Sequence, residues 1–125
     1  MLTNSIATEA YCYLTTTGRV TGRPHGIEIW FGVDESKATS TLYLLSGGRD
    51  RSDWVRNLLA NEAVRVRVGE TTYEAAARVV TDPAEDALAR RLLLEKYQPG
   101  YGSDLGNWGR TALPIALDLA EQEAR

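Results

Sequence analysis

The chain has 125 residues, a net charge of −3 and 43% hydrophobic residues. This size and composition predict one globular domain, residues 1–125, that buries a core without disulfides or metal. Its acidic balance argues against a nucleic-acid partner, because nucleic-acid binding depends on many basic residues. Cys12 is the only cysteine and His25 the only histidine. These counts exclude a disulfide framework and a His- or Cys-rich metal site. We expect no nucleophilic triad, because the sole imidazole, His25, sits in a loop rich in glycine and arginine.

The start of the chain, Met1–Ile6, has no basic region and no long apolar run. We therefore expect no signal peptide and no membrane span, and a cytoplasmic location follows by default. Repeats, low-complexity segments and linkers are absent from the sequence, which agrees with a single domain.

Six segments have the alternation or the β-branched and aromatic content of strands. The clearest is 63–68, where three valines alternate with Arg65 and Arg67. Gly69-Glu70 then fits a two-residue hairpin turn with glycine first. In 27–33, Ile27, Ile29, Phe31 and Val33 are expected on one side and Glu28 and Trp30 on the other. The predicted strands are 11–16, 27–33, 41–46, 63–68, 71–81 and 113–119, with Pro114 near a strand start or on an edge.

Two helices are predicted between these strands. Residues 51–61 place Trp54, Val55, Leu58 and Leu59 along one stripe, with Ser52 or Asp50 as the cap. The second helix begins at Asp82-Pro83-Ala84-Glu85, which combines an N-cap, a proline in the first turn and a capping box, and it runs to about Tyr97. Residues 34–40 are expected to form a polar turn, residues 98–110 a glycine-rich loop, and the C-terminal tail a short helix.

These elements together predict a mainly β (α+β) fold, a six-stranded antiparallel split barrel with two or three helices. Most of its strands are joined as hairpins. Few residues remain to cover the outer faces of such a sheet, so we expect a second copy of the chain to cover them in a homodimer.

Two glycine- and arginine-rich loops are candidate anion sites. The first, Thr15–Gly26, contains Arg19, Arg23 and His25, and the second, Ser46–Asn57, contains Arg49 and Arg51. Glycine backbones, hydroxyls, guanidinium groups and the start of a helix all favour phosphate or carboxylate. The alternative for each loop is an ordinary turn with solvated arginines. We interpret His25 as an anion-facing or hydrogen-bonding residue rather than a general base.

The aromatic residues are candidate contacts for a flat ligand. Trp54 and Asn57 lie on neighbouring faces of the predicted helix, where one ring would stack and the amide would bond a polar edge. Core packing is the alternative for Trp54. Trp108, with Tyr97 and Tyr101, either lines a substrate pocket or pins the late loop to the body. The chain is poor in catalytic side chains, with no paired carboxylates, which favours a protein that takes its chemistry from a phosphate-bearing cofactor.

Two blocks of the sequence resemble the motifs of the deazaflavin-dependent nitroreductase family. The first block is Leu14–His25, LTTTGRVTGRPH. The second runs from LYLLSGG at Leu42 into DWVRNLLANEAVRV, which ends at Val66. The order and spacing of both blocks agree with the family, and the similarity covers about residues 11 to 81.

This resemblance implies a split barrel like that of the FMN-binding pyridoxamine-phosphate oxidases. It also implies an oxidoreductase that uses reduced deazaflavin coenzyme F420 to transfer a hydride to a nitro, quinone or enone acceptor. It assigns Arg19, Thr21, Gly22 and His25 to the phosphate or acidic tail of the cofactor. The other residues that it places near the cofactor are Trp30, Ser46, Gly47, Gly48, Arg51, Trp54 and Asn57.

The chain departs from the family pattern at several positions. Val20 stands where the family often has lysine, His25 stands where arginine is common, and the loop from Ser46 to Trp54 is short. Fewer cations hold a polyanionic tail less firmly, which leaves FMN open as the cofactor because it has only one phosphate. A carrier that binds flavin or deazaflavin without turnover is a further alternative. The expected partner is a small-molecule substrate, with no nucleic acid, membrane or metal.

Overall fold

The computed structural model describes residues 4–34 and 41–120, which form one antiparallel sheet of seven strands with short helices around it. The order of the strands across the sheet is β2-β1-β5-β6-β7-β4-β3. Their bounds are β1 Cys12–Thr17, β2 Pro24–Ile29, β3 Gly32–Asp34, β4 Thr41–Ser46, β5 Ala63–Val68, β6 Thr71–Val79 and β7 Leu113–Leu119.

The sheet closes into a split barrel at Trp30 and Phe31. These two residues join β2 directly to β3, although β2 and β3 lie at opposite edges of the sheet. The predicted strand 27–33 is therefore two strands around a corner, and the count of six strands is wrong by one. The alternation was read correctly, since Phe31 packs in the barrel interior while Trp30 packs outside it.

Two apolar clusters lie on the two faces of the sheet. The interior cluster contains the inward side chains of every strand, such as Leu14, Leu44 and Val66, and α2 covers one end of it. The outer cluster lies between α3 and the neighbouring strands β4 and β7, where Tyr43 and Leu93 are fully buried. Pro114 sits near the start of β7 and not on an edge, because β7 pairs with both β6 and β4.

The helices are α1 Asn4–Ala7, α2 Asp53–Ala60, α3 Pro83–Tyr97 and α4 Gly106–Thr111, with short 3-10 turns at Arg49–Arg51 and Gln98–Gly100. The carboxylate of Asp82 accepts from the Glu85 N–H at 2.9 Å, which confirms the predicted cap of α3. Gly69, with φ of 61°, opens the predicted hairpin turn between β5 and β6. None of the helices in the described ranges is long and apolar enough to cross a membrane.

Three local predictions differ from the structure. Leu59 is 57% exposed and does not belong to the buried stripe of α2. Ser52 occupies the N-cap position of α2, but its hydroxyl pairs with the hydroxyl of Ser46 at 3.0 Å and caps no helical N–H. The late glycine loop contains α4, where Gly109 lets the helix approach Leu94 closely. Of the polar turn predicted at 34–40, Asp34 is the last residue of β3 and the rest lies outside the described residues, as does the helix predicted in the tail after residue 120.

Candidate functional site

The first glycine loop, residues 18–23, is a compact turn between β1 and β2. The Gly18 N–H donates to the Arg23 carbonyl at 2.7 Å, and the Gly22 N–H donates to the Gly18 carbonyl at 2.8 Å. Gly22 has φ of 75°, which favours glycine. A Cβ on Gly18 would lie 2.7 Å from Nε2 of His25. Glycine is therefore required at both positions, and the His25 ring packs directly on the loop.

Arg19 connects this loop to helix α2. Its Nη1 donates to Oδ1 of Asn57 at 2.8 Å, and its Nη2 lies 3.2 Å from the carboxylate of Asp53. Asn57 is only 4% exposed, and its other amide end donates to the Thr16 hydroxyl at 3.1 Å. Both polar ends of Asn57 are thus used to hold the loop. The structure gives Asn57 a positioning role that its sequence motif did not reveal.

Other cations at the two loops remain available to a ligand. Within residues 4–34 and 41–120, the guanidinium groups of Arg23 and Arg51 have no hydrogen-bond or ion-pair partner. Arg49 differs, because its guanidinium donates to the Thr111 carbonyl at the end of α4. Beside the first glycine loop lies a cavity of about 220 Å³, which Arg19, Thr21 and His25 line. The chemistry of these donors fits an anion.

The second glycine loop, residues 46–52, follows the end of β4. Its turn is held by the Ser46 hydroxyl, which donates to the Arg49 carbonyl at 2.9 Å, while Arg49 has φ of 55°. A Cβ on Gly48 would lie 2.5 Å from Oγ of Ser52, so only glycine fits. A Cβ on Gly47 would lie 3.4 Å from the Trp108 ring. The exposed backbone of Gly47 therefore borders an aromatic surface.

That surface belongs to an open cleft of about 440 Å³, here called the aromatic cleft. It is built around Trp30, whose ring stacks on Tyr97 with centroids 4.3 Å apart and planes 5° apart. Tyr101 and Trp108 meet the Trp30 ring edge-on at 5.6 and 5.7 Å. The other lining residues are Tyr11, Glu28, Ile29, Leu45 and Leu105. An aromatic, mostly apolar cleft of this kind suits a flat organic molecule.

The barrel corner that carries Trp30 is fixed by the end of α3. The Tyr97 hydroxyl accepts from the Phe31 N–H at 3.0 Å and lies 2.8 Å from the Ala10 carbonyl and 3.2 Å from the Phe31 carbonyl. Lys96 Nζ donates to the Phe31 carbonyl at 3.1 Å and lies 3.6 Å from the Phe31 ring centroid. Among the described residues, the backbone N–H and carbonyl groups of Phe31 are not hydrogen-bonded to a neighbouring strand. The side chains of Tyr97 and Lys96 provide their hydrogen bonds instead.

Burial at this corner shifts three pKa values. It raises the pKa of Tyr97 to about 12 and that of the Cys12 thiol to about 12. It lowers the pKa of Lys96 to about 8, against the attraction of Cys12 and Glu9. Tyr97 and Cys12 are thus neutral at physiological pH, and neither is a ready proton donor. Within the described parts of the chain, no group of three His, Cys, Asp or Glu side chains is placed to hold a metal ion.

The structure brings the predicted site residues together along one path. The aromatic cleft meets the second glycine loop at Trp108, whose ring lies 3.4 Å from where a Cβ on Gly47 would be. That loop leads into α2, and α2 holds the first glycine loop through Asp53, Asn57 and Arg19. Arg19, Thr21, Gly22 and His25 thus form one end of the path, Ser46, Gly47, Gly48 and Arg51 the middle, and Trp30 the other end.

Trp54 is partly buried against the barrel interior, which agrees with core packing, and its contact with the cofactor stays a prediction. Glu28 was not among the predicted site residues, and Arg23 was predicted only as part of the first candidate anion loop. Arg23 could have been assigned to the cofactor site from the sequence, because it belongs to the first motif. Glu28 could have been assigned to the cleft, because strand alternation turns it to the same side as Trp30.

Solved structures with the same fold include an F420H2-dependent reductase, which is 21% identical over 87% of this chain and 94% of its own, with a TM-score of 0.67. A putative 5-nitroimidazole antibiotic resistance protein from Bacteroides thetaiotaomicron is 17% identical over 94% of this chain and 77% of its own, with a TM-score of 0.70. A putative pyridoxamine 5'-phosphate oxidase from Listeria innocua is 16% identical over 93% and 88%, with a TM-score of 0.65. These likenesses confirm the split-barrel fold.

The sequence itself matches the family model of the F420H2-dependent quinone reductases over residues 3–120. This match spans nearly the whole chain and includes both glycine loops, the barrel corner and the aromatic cleft. It confirms the family resemblance read from the two motifs. The chain belongs to the F420H2-dependent quinone reductase family and is an F420-dependent reductase of the split-barrel type.

Proposed function

We propose that this protein binds reduced F420 along the path from the first glycine loop to the aromatic cleft, and reduces a flat organic acceptor in that cleft. The observation that carries the proposal is the continuity of the path, in which the Trp108 ring lies 3.4 Å from where a Cβ on Gly47 would be, and α2 holds Arg19 through Asn57. When bound, the cofactor supplies the hydride, and the protein supplies position and electrostatics.

Arg23 and Arg51 are the main candidates to hold the phosphate and the acidic tail. Their guanidinium groups have no competing partner within the described residues. Thr21 adds a hydroxyl, and His25 adds a ring nitrogen beside Gly18. Each charge-assisted contact is worth about 1.5–3 kcal/mol, so two or three of them hold a small anion firmly.

Arg19 has a double role in this proposal. In the structure it is paired with Asp53 and Asn57, which fixes the shape of the first glycine loop. Its side chain is 31% exposed, so one face of the guanidinium still reaches the small cavity. We propose that it contributes positive charge to the tail site without leaving Asn57.

At the other end, Gly47 and Gly48 let a planar ring approach the backbone. Trp30, Trp108 and Tyr101 orient an acceptor and exclude water from the face that receives the hydride. The apolar lining suits nitroaromatic, quinone and enone acceptors, because all of these have flat conjugated parts. We propose that solvent or a rim tyrosine completes protonation.

FMN is the second candidate cofactor, because one phosphate would suffice for Arg23 and Arg51. We favour F420 on the family match. Fluorescence titration of the protein with oxidised F420 and, separately, with FMN decides between them. Preferential saturable binding of FMN, or binding of neither, would contradict the proposal.

Two charge variants locate the tail site. Arg23→Ala and Arg51→Ala should each weaken F420 binding about 10- to 150-fold, in line with about 1.5–3 kcal/mol for a lost charged contact. The matched control is Arg91→Ala, because Arg91 is an exposed arginine on α3 with only a 4.0 Å contact to Glu95. Equal affinity in all three variants would refute this placement. Loss of turnover with retained binding would instead identify a catalytic defect.

We also propose a homodimer. A groove of about 310 Å³ lies on the outer face of the barrel, lined by Thr15, Arg65 and Glu74 and bordering Gly22 of the first glycine loop. On the same strands, Tyr13 is 38% exposed. A second copy on this face would cover it and adjoin the tail site. Sedimentation equilibrium tests this, and a monomer at micromolar concentration would contradict it.

We also propose that the protein is located in the cytoplasm, because a reduced cofactor has to be regenerated by metabolism. Fractionation of the native host, with detection by antibody, tests it. Recovery of the protein outside the cytoplasmic fraction would contradict this location.

A further inference from the structure

Glu28 is the one charged residue among the described residues that line the aromatic cleft. It lies on β2 two residues before Trp30, and strand alternation turns both side chains to the same side. The carboxylate takes part in none of the ion pairs within residues 4–34 and 41–120. A full negative charge therefore faces an otherwise aromatic and aliphatic cleft.

Tyr13 lies beside this carboxylate. Tyr13 and Glu28 are opposite one another in the β1–β2 pairing, and interaction with the Glu28 carboxylate raises the pKa of Tyr13. Arg67 on β5 forms no ion pair with Glu28, because its guanidinium lies 4.2 Å above the Tyr13 ring and donates to the Gly69 carbonyl at 2.7 Å. The charge of Glu28 is thus not cancelled by an ion pair within residues 4–34 and 41–120.

The aromatic faces of the cleft also favour a positively charged ligand. The π faces of tryptophan and tyrosine attract cations and do not attract anions. The cleft presents Trp30, Trp108, Tyr11 and Tyr101, of which the two tyrosines are 43% and 48% exposed at its rim. An acceptor with a positive substituent meets this surface and Glu28 favourably. An acceptor with a sulfonate or carboxylate meets a like charge.

We propose that Glu28 makes the aromatic cleft select planar acceptors by charge, so that cationic rings bind best, neutral rings next and anionic rings least. The reduction of such acceptors rests on the proposed function, whereas the binding preference itself requires no cofactor. Glu28 is a specificity-determining residue in this proposal and takes no part in hydride transfer.

The binding preference is tested with three non-reducible probes, naphthalene bearing a methyl, a sulfonate or a trimethylammonium group. Quenching of tryptophan fluorescence reports binding, because Trp30 and Trp108 line the cleft. Glu28→Gln should lower the ratio of the sulfonate Kd to the trimethylammonium Kd about tenfold, with each ligand changing about threefold in opposite directions. Glu28→Lys should invert the preference.

Glu62→Gln is the matched control, because Glu62 is an exposed carboxylate before β5 that does not line the cleft. A ratio that is the same in wild type, Glu28→Gln and Glu28→Lys would overturn the proposal. So would the absence of saturable quenching by all three probes. Thermal unfolding of each variant shows that the folded proteins are being compared.

Turnover separates this proposal from the proposed function. With menadione and its sulfonate and trimethylammonium analogues, Glu28→Gln should lower the ratio of the sulfonate KM to the trimethylammonium KM. A shifted probe ratio without reduction of any acceptor would support the charge preference and refute the proposed function. Reduction of all three acceptors with no change in the KM ratio would support the function and refute the role of Glu28.

Discussion

The hydroxyl of Tyr97 is predicted to be a main support of the barrel corner, and Tyr97→Phe tests this. The substitution keeps the ring that stacks on Trp30 at 4.3 Å. It removes one accepted hydrogen bond, from the Phe31 N–H at 3.0 Å, and one donated bond, to the Ala10 carbonyl at 2.8 Å or the Phe31 carbonyl at 3.2 Å. Phe31 is fully buried, so its N–H would lose a partner that water does not readily replace.

The expected cost follows from these two bonds. At about 1 kcal/mol for each net hydrogen bond, the free energy of unfolding should fall by about 2 kcal/mol. With a urea m-value of about 1.5 kcal/mol/M, the unfolding midpoint should move down by about 1.3 M. The slope itself should not change, because the substitution alters no buried area of note.

Urea unfolding followed by circular dichroism measures this effect, with Tyr101→Phe as the control. Tyr101 also meets the Trp30 ring, but it is 48% exposed and its hydroxyl has no hydrogen-bond partner within the described residues. Its substitution should move the midpoint by less than about 0.3 M. If Tyr97→Phe and Tyr101→Phe behave alike, the corner is held by side-chain packing and not by the Tyr97 hydroxyl.

Two further predictions concern charged groups. Asp53→Asn should strengthen F420 binding about twofold, because it releases Arg19 from an exposed ion pair worth about 0.2–1 kcal/mol; weaker binding, by titration, would show that Asp53 is needed to shape the loop. Lys96→Met should remove a pH dependence of stability. Since burial lowers the pKa of Lys96 from 10.5 to about 8, the unfolded chain binds more protons than the folded one between these values, and wild type gains stability with rising pH there. In urea unfolding from pH 8 to 10, the free energy of unfolding of wild type should rise relative to that of Lys96→Met. A difference between the two proteins that stays constant over this pH range would contradict the prediction.

Local features of the fold were predictable from the sequence because their causes are local. The alternation of 63–68, the glycine-first turn at Gly69 and the Asp82 cap each depend on a few neighbouring residues. The family motifs added both glycine loops and most of the residues on the path to the cleft. Periodicity also placed Trp30 and Phe31 on opposite faces, which the two apolar clusters confirm.

The corner and the late helix were not predictable in this way. Nothing in 27–33 marks a break, because the break arises where the segment passes from one edge of the closed sheet to the other. In α4, Gly106 and Gly109 have low helix propensity, and the tight contact of Gly109 with Leu94 overrides it. The bonds from Arg19 to Asp53 and Asn57 span 34 and 38 residues, which no local pattern encodes.

Under the proposed function, the barrel corner joins stability to acceptor binding. Phe31 closes the interior core, and the adjacent Trp30 forms the centre of the aromatic cleft. Tyr97 serves both residues, since its hydroxyl holds the Phe31 backbone and its ring supports Trp30. A substitution that removes both the hydroxyl and the ring of this tyrosine should therefore change stability and acceptor affinity together.

At the rim of the cleft, substitutions should change acceptor preference without changing stability. Tyr101 and Glu28 are exposed, and neither belongs to the two buried clusters. Because substitution there costs little stability, the rim can change its acceptor preference while the corner keeps the fold. Acceptor specificity within this fold should therefore vary mainly through rim positions such as Glu28, and the cofactor path through the two glycine loops should vary least.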